Sequence, residues 1–191
     1  MFTGIIKYIL SFELDGSILT LIDVPSDIIN NVKNGSSVSI NGVCLTVTSI
    51  NKDKITFFVM IETFTKTSLS KIKYGKVNVE LSLINGSSVD GHYVTGHVDT
   101  YGSVDKIENN SDGSTDIWIK HNSNTQLEYK DSISVDGISL TIAEINNAGG
   151  RFSTEINNAS GKISTEINDK LFRISIIPDT KKYTVIQYYE V

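Results

Sequence analysis

Apolar and polar positions alternate through most of the chain. In Ser17–Ile22, Ser36–Ile40, Cys44–Ile50, Lys54–Ile61, Val77–Leu83, Thr115–Lys120 and Phe172–Ile177, branched and aromatic residues recur at every second position, the period at which strand side chains return to one face. Turn signals at Lys33-Asn34-Gly35 and Asn85-Gly86-Ser87 separate such runs. Helical signals are few, and predict short helices only at Pro25–Val32 and Thr67–Ile72. The predicted class is all-β, with strands as short as those of small closed or Greek-key barrels.

The pattern occurs twice. Val38-Ser39-Ile40-Asn41-Gly42-Val43-Cys44-Leu45-Thr46-Val47 aligns with Ile133-Ser134-Val135-Asp136-Gly137-Ile138-Ser139-Leu140-Thr141-Ile142, 95 residues on. Phe2-Thr3-Gly4-Ile5 aligns with Val94-Thr95-Gly96-His97 at an offset of 92, and Glu62-Thr63 with Asp179-Thr180 at 117. Three blocks in one order predict a tandem duplication, with domains at 1–87 and 88–191 and the boundary within Ile84–Asp90. The step from 95 to 117 is a 22-residue expansion within 144–165, where EINNAGGRFST, EINNASGKIST and EINDKLF repeat with a period of 11. Its Asn, Ser and Gly predict a turn-rich surface excursion or an extended hairpin. The final strand Val77–Leu83 of the first half has no visible counterpart in the second, so the second barrel is expected to be incomplete.

Composition narrows the function. A net charge of −5 provides no basic footprint for nucleic acid or an anionic membrane. The single cysteine, Cys44, cannot form an internal disulfide and fits a reducing compartment. The first residues carry neither a basic region nor a long apolar stretch, which predicts a cytoplasmic protein.

Alternation sorts the reactive side chains. Val43, Leu45 and Val47 share the expected core face, and Cys44, Thr46 and Thr48 the other. In the second half Ile138, Leu140 and Ile142 turn inward, while Ser139 and Thr141 turn outward. Each half therefore presents a small nucleophilic or hydrogen-bonding pair at one place. His92 and His97, five residues apart, would sit on opposite strand faces, a poor arrangement for a shared metal. His121 lies in a polar stretch and is predicted to be solvated. Phe2 is either a core anchor or a pocket cap.

Taken together, Met1-Phe2-Thr3-Gly4-Ile5-Ile6, Asn41–Val47, Gly91-His92 through Gly96-His97-Val98-Asp99, Asp136–Thr141 and Ile177-Pro178-Asp179-Thr180 resemble riboflavin synthase. The resemblance implies two tandem six-stranded Greek-key barrels, a homotrimer, no metal and no cofactor. It implies a transferase that moves a four-carbon unit between two molecules of 6,7-dimethyl-8-ribityllumazine, giving riboflavin and 5-amino-6-ribitylaminouracil. Two related pockets suit a reaction whose donor and acceptor are one compound, and orienting both rings removes much of the entropic barrier. His97 is the implied base, acting on the acidic 7-methyl group, and Cys44 and Ser139 contact or activate C7. The first pocket would draw on Cys44, Leu45, Thr46, Phe58, Val59, Met60, Ile61, Glu62 and Thr63, with Lys130 from the other half. The second would draw on Gly4, Ile5, Ile6, Gly96, His97, Val98, Ser139, Leu140, Thr141, Ser175, Ile176, Ile177, Pro178, Asp179 and Thr180, with Phe2 beside them. Implied partners are the lumazine substrate, further copies of the chain and lumazine synthase.

The family's second barrel closes with a last strand bearing a catalytic acidic residue, followed by a helix used in trimer formation, and neither has a match here. Three readings stay open: a working synthase, a non-catalytic lumazine- or flavin-binding relative, and an impaired copy.

Overall fold

The computed structural model describes residues 1–72, 75–121, 126–146 and 170–190. In the first half, β1 (Tyr8–Asp15), β2 (Ile18–Ile22), β3 (Ser37–Ile40), β4 (Val43–Asn51), β5 (Lys54–Phe58) and β6 (Lys76–Leu81) close into a barrel in the order β1-β2-β5-β4-β3-β6. Closure depends on β6, which pairs antiparallel with both β1 and β3. The second half contains β7 (Gly102–Asn109), β8 (Thr115–His121), β9 (Ser132–Val135), β10 (Ile138–Asn146) and β11 (Lys170–Ile176), in the order β7-β8-β11-β10-β9. This repeats the first order without β6, and among the described residues the sheet does not close. The duplication extends to irregularities: β4 shifts register between Val47 and Ser49, and β10 between Ile142 and Glu144, 95 residues on.

Alternation places the cores. Val43, Leu45 and Val47 are buried with Leu19, Leu21, Val38, Ile55, Phe57, Val77 and Val79 inside the first barrel. Ile138 and Ile142 are buried with Ile117, Ile119, Phe172, Ile174 and Ile176 in the second half, with Leu140 partly buried against them. The second cluster is the smaller among the described residues. Each fully buried side chain contributes about 1.5–3 kcal/mol, so the second half is the weaker unit.

Local structure departs from the sequence expectations in places. The strand predicted for Lys54–Ile61 stops at Phe58, and Ile61–Lys66 forms a helix, α2, after the short one-turn α1 (Ser26–Ile29). In α2, Glu62 lies in the first turn, Lys66 in the last, and the two form an i,i+4 ion pair at 2.6 Å. That arrangement opposes the helix dipole favourably, and a charged Glu–Lys face is a helix signal the strand reading passed over. At Thr67–Ile72 the expected helix is one 3-10 turn, Leu69–Lys71. In the second half Pro178 opens a third helix, α3 (Pro178–Lys182), followed by a 3-10 turn at Val185–Tyr188. These answer to α2 and the Leu69–Lys71 turn, with Thr67 and Thr184 each donating its hydroxyl to the carbonyl four residues back. His121 is not solvated: at the end of β8 it is 6% exposed, edge-on to Phe172 at 5.6 Å between ring centres. Of the predicted expansion, Glu144–Asn146 belong to β10, and 147–165 lie outside the described residues.

The halves exchange their leading segments. Phe2 N–H donates to Val94 O at 2.8 Å and Val94 N–H to Phe2 O at 3.0 Å, a bridge between equivalent residues. From there Gly4 runs onto the second half, accepting a bond from Ser139 N–H at 2.8 Å, and Ile6 packs on the second core. Gly96 runs the other way, accepting from Cys44 N–H at 2.9 Å, and Val98 packs on the first core. Phe2 is fully buried at this seam.

Glu80 of β6, 8% exposed, pins one of these segments. Its carboxylate accepts from Thr3 N–H at 2.7 Å, Thr3 Oγ1–H at 2.8 Å and Gly4 N–H at 3.0 Å. Removing it strands three donors at a buried seam. Glu80→Ala is expected to cost roughly 3 kcal/mol, read as a lower urea midpoint with an unchanged m-value; an unaltered midpoint would deny it this clamping role.

Candidate functional site

Each half carries an outward strand face crossed by the other half's glycine segment. On β4, Cys44 is half-buried and Thr46 exposed. Gly96 lies so close that a Cβ there would stand 2.6 Å from Cys44 Cβ. Only glycine permits that approach, and it brings the exposed His97 to the residue beside Cys44. His97 N–H is held by Thr95 Oγ1 at 3.2 Å. On β10, Ser139 is half-buried and Thr141 exposed. Gly4 crosses there, with a Cβ position 2.7 Å from Ser139 Cβ, and Ile5 N–H bonds to Thr3 Oγ1 at 3.3 Å, as His97 bonds to Thr95.

The exchange regroups the predicted pockets. Gly96, His97 and Val98, expected beside Ser139, lie against Cys44 and the first barrel. Gly4, Ile5 and Ile6 lie beside Ser139 as expected. Sequence proximity suggested the first grouping; the crossing of two segments at Phe2–Val94 dictates the second. Phe58, Met60 and Ile61 continue from β5 with more than half their surface exposed, around a buried Val59, and lead into Glu62 and Thr63 of α2. In the second half, Ser175 and Ile176 end β11, Ile177 is 62% exposed, and Pro178, Asp179 and Thr180 open α3. Ser175 Oγ is tied to Asp116, which Arg173 bridges to Glu144 with ion pairs of 2.8 and 3.1 Å. Lys130 is not brought to Cys44 within the chain: its backbone N–H bonds Ile142 O and its ammonium lies 4.9 Å from the Tyr129 ring centre.

His92 was not among the predicted site residues. Its Nδ1 stands 2.7 Å from Ser139 Oγ, and burial holds its imidazole pKa below the ordinary value, so it is neutral at pH 7. A neutral ring against a serine hydroxyl can orient or accept its proton. The available signal was Gly91 before it, where a Cβ would meet Thr3 O at 2.2 Å and Ser139 Oγ at 2.9 Å.

Asp136 and Asn41 occupy equivalent left-handed turns, with φ of +47° and +45°. Asp136 takes a bond from the Tyr189 hydroxyl at 2.7 Å, yet burial of its carboxyl raises the pKa and outweighs that bond. The folded chain therefore keeps this proton to higher pH than the unfolded chain. Stability falls as pH rises from the ordinary 3.8 through the raised value. Asp136→Asn, which copies Asn41, is expected to gain about 1 kcal/mol at pH 8, a gain that shrinks towards pH 4. Thermal melts at the two pH values check this, and an equal gain at both would overturn the assignment.

The family model for the lumazine binding domain matches residues 3–82 and 95–191. The chain belongs to the lumazine-binding domain family. Among its relatives, the riboflavin synthase of Bacillus subtilis is 40% identical over 147 residues, covering 74% of this chain and 68% of that protein. The riboflavin synthase of Escherichia coli is 35% identical, covering 76% and 71%. That of Actinobacillus pleuropneumoniae is 32% identical, covering 96% and 78%. In fold the chain is similar to LumP solved with 6,7-dimethyl-8-(1'-D-ribityl) lumazine, with a TM-score of 0.74 at 24% identity over all of this chain and 94% of that one. A second LumP structure, with riboflavin, gives 0.71 at 22% identity with the same coverage.

Among the described residues, no helix is long and apolar enough to cross a membrane.

Proposed function

We propose that the chain is a riboflavin synthase, a transferase that dismutates two molecules of 6,7-dimethyl-8-ribityllumazine into riboflavin and 5-amino-6-ribitylaminouracil. The observation that carries this is the pair of equivalent sites: Cys44 crossed by Gly96-His97, and Ser139 crossed by Gly4-Ile5, in a chain 32–40% identical to riboflavin synthases. One chemical species has to be held twice, and a duplicated site does that. The units are 1–87 and 88–191. Cys44 and Ser139 meet C7 of the bound rings, while Thr46, Thr141 and nearby backbone groups take ribityl hydroxyls and ring carbonyls. His97 removes a proton from the 7-methyl group of the donor, whose ring carbonyls delocalise the resulting anion. The exposed Phe58, Met60 and Ile61 of one subunit, and Ile5 and Ile177 of its neighbour, are covered by substrate and by each other in a homotrimer in the cytoplasm, and Lys130 reaches Cys44 across that contact.

A second reading, lumazine binding without turnover, is favoured by one observation. Thr3 and Gly4 are clamped by Glu80, whereas among the described residues no side-chain carboxylate takes the N–H of Thr95 or Gly96. The loop that carries His97 is thus less firmly held than its twin.

The test is riboflavin absorbance after mixing the protein with 6,7-dimethyl-8-ribityllumazine. Turnover that disappears in a Cys44→Ser, His97→Ala double variant supports the synthase. Tight lumazine binding by fluorescence with no riboflavin formed would establish the second reading instead.

A further inference from the structure

Between β7 and β9 lies a cavity of 1180 Å³. It occupies the position that β6 fills in the first barrel. There, Tyr8–Ser11 of β1 and Val38–Ile40 of β3 pair with β6 from its two sides. Their counterparts are Thr100–Ser103 and Ile133–Val135, and all of them line the cavity.

The backbone on its edge is poised for a ladder. Ser139 N–H turns away from β9 to Gly4 O, so the Ser134–Ser139 pair is non-hydrogen-bonded and the N–H and C=O of Ser134 face the opening. The side chains agree. Only Asn41 Nδ2 and His121 Nε2 are buried polar side-chain atoms without a hydrogen bond among the described residues, and both residues line this cavity. They are 4% and 6% exposed. A buried polar atom left unpaired costs stability, so two of them around one cavity mark an occupant with polar groups to offer.

The first barrel shows what such an occupant does. Val77, Val79 and Leu81 face the core, while Asn78 and Glu80 face the other half. Asn78 accepts Val185 N–H at 2.9 Å, donates to Asp136 O at 2.8 Å, and gives its own N–H to Asn41 Oδ1 at 2.7 Å. The equivalent groups waiting around the cavity are Ser68 N–H, Asn41 O and the Asp136 carboxyl. Thr95 and Gly96 wait for the carboxylate that Glu80 gives to Thr3 and Gly4.

We infer that the cavity between β7 and β9 is a strand acceptor, which binds an extended peptide segment in the pattern apolar–Asn–apolar–Glu–apolar and so completes the second barrel. The segment adds by main-chain pairing to both edges, while alternate side chains supply specificity. The inference rests on the repeat and on the unpaired polar atoms, and holds whether or not the chain turns over lumazine.

The probe is a synthetic, fluorescently labelled peptide Lys-Val-Asn-Val-Glu-Leu-Ser-Leu, the sequence of residues 76–83. Anisotropy is expected to report saturable one-to-one binding, at least tenfold weaker for the peptide with Ala in place of Asn and Glu. Ser134→Pro in the protein removes the outward N–H without touching the β9–β10 bonds, a change tolerated at an edge, and is expected to abolish binding while leaving the thermal melt cooperative. Amide hydrogen exchange in Thr100–Ser103 and Ile133–Val135 is expected to slow when peptide is added. Binding that survives both the scrambled peptide and Ser134→Pro, or no binding because the chain self-associates through this face, would overturn the inference.

Discussion

Gly42→Ala is expected to separate the two halves of the molecule. The Asn41-Gly42 and Asp136-Gly137 turns meet back to back, and a Cβ on Gly42 would stand 2.7 Å from the backbone nitrogen of Gly137. Nothing at that point can rotate aside, since the obstacle is main chain on an equally tight turn. Gly42 also has φ of +78°, where a Cβ adds strain of its own. Strain and clash together are expected to destabilise by roughly 3 kcal/mol or more, and Gly137→Ala by a similar amount. Gly35→Ala is the control: φ is +88° but no atom lies within 4 Å of the new Cβ, so only the strain of about 1–2 kcal/mol remains. Urea unfolding of the three variants measures the difference. Equal losses at Gly35 and Gly42 would mean that the seam yields and that the halves are not locked by their turns.

The seam also shows where the sequence was informative. Alternation alone put Cys44 and Thr46 opposite Val43, Leu45 and Val47, because a period of two is a local property. The duplication was equally visible, since each block of the repeat is continuous. What could not be seen was which half each leading segment lies upon. Gly96-His97 is 42 residues from Ser139 in sequence and more than 50 from Cys44, yet the bridge between Phe2 and Val94 sends it to Cys44. Such an exchange leaves no period or composition behind. His121 was misjudged for a related reason: polar neighbours in the chain say nothing about Phe172, which covers it from another strand. Glu80 was the more accessible omission. A glutamate within Val77–Leu81, whose neighbours are nearly all buried, has to find donors, and the cheapest source is a backbone N–H at a seam.

His97→Ala and His92→Ala are expected to damage the proposed reaction in different ways. His97 is exposed beside Cys44 and donates no side-chain bond that holds the fold, so its removal should leave the melt unchanged and ring binding within a few-fold. As the base that takes the 7-methyl proton, it should lower kcat by about 10²–10⁴. His92 is half-buried against Ser139 Oγ at 2.7 Å, and its loss leaves that hydroxyl without its partner. The cost of one such bond is about tenfold, and should appear in KM for the site at Ser139. The pH profile separates the two further. Burial depresses the His92 pKa, so its neutral form persists below the usual imidazole range, and the contribution it makes to folding is complete above that range and lost only as pH falls through the lowered value. An acid limb of kcat/KM lying below the ordinary imidazole range in the parent protein, kept in His97→Ala and absent in His92→Ala, would assign that limb to His92. A kcat loss of the larger size in His92→Ala, with His97→Ala nearly unimpaired, would instead move the base to His92, paired with Ser139, and leave Cys44 and His97 to hold the acceptor ring.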